Sequence, residues 1–180
     1  MKTAKSVRNA AYWGVVAIVI SVFFSFDVLL SQIFGATYTT FAIASVALTM
    51  TMSALVFHLR GYGAIARKYN APFLEHTTWI TMTALAILTG MMVIALWAGV
   101  SPNSPPNGME FMNAGVGLLF AVYYVAATFF AIAFSIFYRR VAALPSLLVL
   151  FVPIAGWYPW ITALLFLPST YLLFKESSRM

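Results

Sequence analysis

Apolar residues dominate this chain in long blocks, at about 10–35, 38–59, 76–100 and 110–138. Each block reaches the roughly 20 residues that a helix needs to span a bilayer core. None alternates polar with apolar, as a membrane β-strand would. The blocks are interrupted at "FGATYTT", "RGYGAIARKYNAPF", "SPNSPPNG" and "YRR". The second and third are rich in glycine, proline and asparagine and read as turns. The "RGYG" at 60–63 is read as part of the turn. It lacks the Thr-Val that precedes a potassium-filter loop, and basic residues surround it.

A fifth apolar run, Val141 to Phe174, is too long for one crossing. As a single helix it would measure ~51 Å, against a hydrocarbon core of ~30 Å. The stretch Gly156-Trp157-Tyr158-Pro159-Trp160 divides it into 141–156 and 159–174. Tryptophan and tyrosine favour the headgroup layer, and proline is tolerated at the first position of a helix.

Charge decides between one pass and two. Lys2, Lys5 and Arg8 precede the first helix, Arg60, Arg67 and Lys68 follow the second, and Arg139 and Arg140 follow the fourth. A cytoplasmic N-terminus puts all eight on the cytoplasmic side, where basic residues concentrate. Lys175 and Arg179 join them only if 141–174 crosses twice, or dips in and returns; two crossings are the favoured reading. The expected fold is therefore an all-α, polytopic transmembrane helix bundle of six membrane segments, with five as the alternative. It forms a single domain over 1–180. The basic N-terminus followed by an apolar stretch to about Phe34 reads as a retained helix, because the stretch outruns a signal-peptide core.

Composition agrees with this placement: 63% of the 180 residues are hydrophobic and 8% charged, where a soluble domain is about a quarter charged. The net charge of +6 sits in short clusters between spans, which suits anionic headgroups and argues against nucleic acid. The absence of cysteine excludes thiol chemistry and iron–sulfur clusters. The expected location is a cell membrane, multi-pass, of the prokaryotic inner-membrane type. The expected partners are the lipid bilayer and either another membrane protein or further copies of the chain.

Ionisable residues inside apolar spans are the first candidates for function. Asp27 lies about two turns from the outer end of the first helix. His58, Glu75 and His76 flank the turn between the second and third helices, together with Arg60. These four, Asp27, His58, Glu75 and His76, are the candidate ion or proton site. The two histidines and the glutamate have the chemistry for a metal or a proton-sensitive gate. Two histidines at matched depth are also what a haem b requires, although the favoured reading has no cofactor and no metal. Ser45, Thr49 and Ser53 at i, i+4, i+8, with Thr78 and Thr81, are candidates to line a path, or to join helices through hydroxyl bonds. Glu110 suits a helix N-terminus, and Glu176 a solvated tail. Small residues at Gly117, Ala121, Ala127, Ala131 and Ser135 allow close helix approach.

The chain contains no nucleotide, hydrolase or metalloprotease motif. Three functions follow as expectations. The first is a small inner-membrane transport or channel protein. The second is a non-transporting integral subunit, assembly factor or sensor of a membrane complex. The third is a haem-binding electron carrier. An enzyme is the less favoured class. The topology has a direct test by cysteine labelling with a membrane-impermeant reagent. A cysteine replacing Tyr158 is expected to react from outside and one replacing Ser178 only from the cytoplasmic side. Reaction of the Ser178 position from outside, with Tyr158 protected, excludes the two-pass arrangement.

Overall fold

The computed structural model describes residues 2–34, 38–100, 106–138, 149 and 159–180. Within helices, the side chains of 2, 24–34, 38–41, 44, 96–100, 106–113 and 159–162 lie outside that description. The described residues are all helical apart from short turns and the C-terminal residue. They form α1 (Lys2–Phe34), α2 (Tyr38–Lys68), α3 (Pro72–Val100), α4 (Pro106–Tyr138) and α5 (Pro159–Ser178). The expected segment 141–156 and the bend at Trp157–Tyr158 lie outside the described residues. Pro159 is the first residue of α5, the position where its missing N–H costs least.

Among the described residues, three helices contain spans long and apolar enough to cross a membrane: Thr3–Phe23, Pro72–Ala95 and Ala114–Tyr138. Only 33%, 33% and 28% of these spans, respectively, is buried inside the protein. Most of their apolar surface therefore needs another apolar medium, and lipid supplies it. Phe23, Leu118 and Tyr171, 72%, 68% and 68% exposed, show how apolar the outer surface is.

Helix α1 packs against α2 and α5, α2 also against α3, and α3 against α4. Each helix from α1 to α4 runs antiparallel to the one before it, and α5 runs antiparallel to α1. Tyr12 of α1 meets Phe174 of α5 edge-on at 5.3 Å, and Thr170 lies beside Gly14. As α1 advances, α5 thus runs the other way. Tyr69, after α2, meets Phe137 near the end of α4 at 5.8 Å. The start of α1, the end of α2, the start of α3 and the ends of α4 and α5 therefore share one end, the basic end. Lys175 and Arg179 lie there with Lys5, Arg8, Arg67 and Lys68.

The second helix departs from the sequence expectation. It continues through "RGYGAIARK" to Lys68, ten residues past His58 or roughly 15 Å. Gly61, expected to lie in a turn, instead allows close packing. A Cβ at Gly61 would stand 2.7 Å from the Ala10 Cβ and 3.0 Å from Leu173. The true turn is three residues, Tyr69–Ala71. Asn70 takes a left-handed backbone (φ 50°), a conformation asparagine tolerates at a helix end. The Ala71 N–H donates to the Ala66 carbonyl at 2.9 Å. Pro72 then opens α3, and Arg67 pairs with Glu75 across the turn at 3.5 Å.

Candidate functional site

The densest polar cluster among the described residues lies where α1, α2 and α5 meet, a few turns inside the basic end. His58 of α2 is fully buried. Its Nδ1 lies 3.0 Å from the Ala10 carbonyl of α1. A carbonyl only accepts, so Nδ1 carries the proton. In the neutral ring Nε2 is then an acceptor, and the Ser169 hydroxyl of α5 donates to it at 2.6 Å. The Ser169 oxygen in turn accepts from the Tyr62 hydroxyl at 2.5 Å. Donation runs from Tyr62 to Ser169, from Ser169 to His58 and from His58 to the Ala10 carbonyl, and ties three helices together in one direction.

Local sequence explains why this junction is possible. His58 and Tyr62 are one helical turn apart on α2, so they share a face. Ser169 follows Pro168, which lies inside α5 and cannot donate to the carbonyl four residues earlier. Gly14 removes the side chain where α1 passes closest. A Cβ there would overlap the Thr170 hydroxyl and stand 2.7 Å from His58 Nδ1. Aromatic rings close the surroundings. His58 meets Phe166 at 5.3 Å, and Tyr62 meets Phe134 of α4 at 5.3 Å.

The candidate ionisable residues are not gathered in one place. His58 is inside the bundle. Glu75 pairs with Arg67 at the turn. His76 is exposed on the first turn of α3, with Nδ1 2.6 Å from the Pro72 carbonyl. No group of three or more metal-ligating His, Cys, Asp or Glu side chains occurs among the described residues. Asp27 falls in α1, and its side chain lies outside the described residues, as do those of Glu110 and Asn113. Glu176 is buried and pairs with Arg179 at 3.6 Å.

The candidate path residues also separate. A step of four residues rotates a helical position by about 40°, so Ser45, Thr49 and Ser53 drift around α2. Ser45 is buried, while Thr49 and Ser53 are exposed and line an outer groove of about 610 Å³ between α2 and α3. The hydroxyls of Thr49, Thr78 and Thr81 donate to carbonyls one turn back, at 2.8, 2.6 and 2.8 Å. Thr81 also reaches the Ala126 carbonyl of α4 at 3.1 Å, which makes it a link between helices.

Sequence reasoning missed Tyr62, Ser169 and Gly14. Ser169 and Gly14 carried no signal, since each is one small residue in an apolar helix. Tyr62 lay in the stretch read as a turn. No family model, curated protein or solved structure matches the chain.

The geometry predicts unequal effects at two helical glycines. Gly14→Ala is expected to lower the unfolding stability of the purified protein by about 1–3 kcal/mol through overpacking. Gly90→Ala has nothing within 4 Å of the new methyl and is expected to be neutral or slightly stabilising. Thermal unfolding in micelles checks both. Equal effects contradict the close approach at Gly14.

Proposed function

We propose that the chain is a six-crossing protein of a cell membrane, with its basic end in the cytoplasm. In this reading it works as a non-transporting integral subunit or assembly factor. Two observations support the sixth crossing. Tyr138 ends α4 at the basic end, whereas α5 reaches that end only at its C-terminus, so Pro159 starts near the other. The carbonyl of Val149 accepts from the Tyr123 hydroxyl, and Tyr123 lies about 22 Å along α4 from Tyr138. Eight basic residues of the described helices gather at one end with two carboxylates, Glu75 and Glu176. That asymmetry supports the cytoplasmic assignment.

The observation that carries the non-transporting reading is how the polar side chains are used. His58, Ser169, Tyr62, Thr78 and Thr81 are buried and bonded to each other or to backbone. Buried groups satisfied in this way fix helix positions. A conducting path needs polar groups that remain open to ions or water. Such a bundle is a rigid apolar body whose outer faces meet lipid or partner helices, where small residues and aromatics give close fit.

A second reading, transport of an ion or small solute, is favoured by one feature. The Tyr62–Ser169–His58 chain is a directional run of exchangeable protons across three helices. Flux assays separate the two readings. Sealed liposomes containing the purified protein are expected to leak protons, sodium and potassium no faster than protein-free liposomes. Flux above that background, abolished in His58→Phe, favours transport and contradicts the first reading.

A further inference from the structure

We propose that the cleft between the first turns of α1 and the last turn of α5 binds one anionic phospholipid, its phosphate on Lys5 and Arg8 and its acyl chains along the two helices above. The cleft encloses about 740 Å³ and is lined by Lys5, Arg8, Phe174, Ser177, Ser178 and Met180 among others. Lys5 and Arg8 are three residues apart on α1 and therefore share a face. Both are exposed. Among the described residues neither is in an ion pair, and the side chains of Glu75 and Glu176 are engaged with Arg67 and Arg179.

The shape of the surface above the cations selects a lipid over a soluble phosphate. On α1 the exposed stripe continues from Lys5 and Arg8 to Tyr12, Val15 and Val19, in steps of three and four that keep one face. On α5 the matching stripe runs from Ser178 through half-buried Phe174 to exposed Tyr171, Leu167 and Leu164. The helices are antiparallel, so both stripes change from polar to aromatic to aliphatic in the same direction. Tyr12 and Phe174 touch across the junction at 5.3 Å. The surface thus repeats the order of a phospholipid: charged head, interfacial layer, hydrocarbon tails. A free phosphate uses only the bottom of it. Lysine and arginine near the surface attract anionic lipid, and Arg8 adds a fork suited to phosphate oxygens.

The inference rests on the membrane placement above and is independent of the choice between subunit and transporter. The test is native mass spectrometry of the full-length protein released from micelles containing equal phosphatidylglycerol and phosphatidylcholine. Wild type is expected to retain phosphatidylglycerol preferentially. Lys5→Gln and Arg8→Gln should each cut that preference roughly fivefold, and the double variant should remove it. Arg60→Gln, an exposed cation on α2 that does not line the cleft, should leave it intact. An equal loss in Arg60→Gln means diffuse surface charge and overturns the site. Displacement of the lipid by inorganic phosphate at matched concentration overturns the lipid assignment. Because Lys5 and Arg8 are exposed, unchanged helicity by circular dichroism is expected in every variant. An inverted topology would appear in cysteine labelling and leave the lipid preference in micelles unaltered.

Discussion

His58 is bonded at both ring nitrogens, to a carbonyl of α1 and a hydroxyl of α5, and this pair of bonds fixes how three helices meet. In a medium without water an unpaired imidazole nitrogen costs much of what its hydrogen bond would return. The ring therefore dictates where Ala10 and Ser169 must stand. Their positions require Gly14 and Gly61, since a methyl at either would collide with the neighbouring helix. Tyr62, one turn from His58, completes the chain through Ser169 and carries the arrangement outward to Phe130 and Phe134 of α4.

The same economy applies along α3. Thr77, Thr78 and Thr81 return their hydroxyls to the helix backbone, and Thr81 extends one bond to α4. Hydrogen bonds between membrane helices are individually modest, about 0.6 kcal/mol on average. Their value here is directional. Apolar packing alone leaves helices free to rotate and slide, whereas a bond from a buried ring nitrogen sets both rotation and depth. Outside this junction the contacts are mainly aromatic and aliphatic, and the surface is left apolar. Among the described side chains, charge is gathered toward the basic end, where the headgroup layer can solvate it.

Much of this was legible in the sequence, and the misses have physical causes. Long uniform apolar blocks announce helices, and basic residues mark their ends. Uniformity also hides orientation, because a helix apolar on every face does not say which side is inside. Ser169 and Gly14 were invisible for that reason. His58 was expected at a helix end because Arg60, Gly61 and Gly63 follow it. In water such closely spaced glycines favour a helix end. Here Arg60 is exposed beside buried neighbours, and Gly61 gives α1 and α5 room to approach. The turn itself was present in the letters "YNAP", since asparagine accepts a left-handed backbone and proline opens a helix. The stripe at Ser45, Thr49 and Ser53 looked like one face on a four-residue count, but the helical repeat turns it through about 80° by its third member.

If the His58–Ser169 bond positions these helices, it couples α2 to α5 energetically. A double-mutant cycle on unfolding in micelles, with His58→Phe, Ser169→Ala and the combined variant, measures this coupling directly. The double variant is expected to lose less stability than the sum of the single variants, by about 0.6–1.7 kcal/mol. Losses that add within about 0.3 kcal/mol would contradict it.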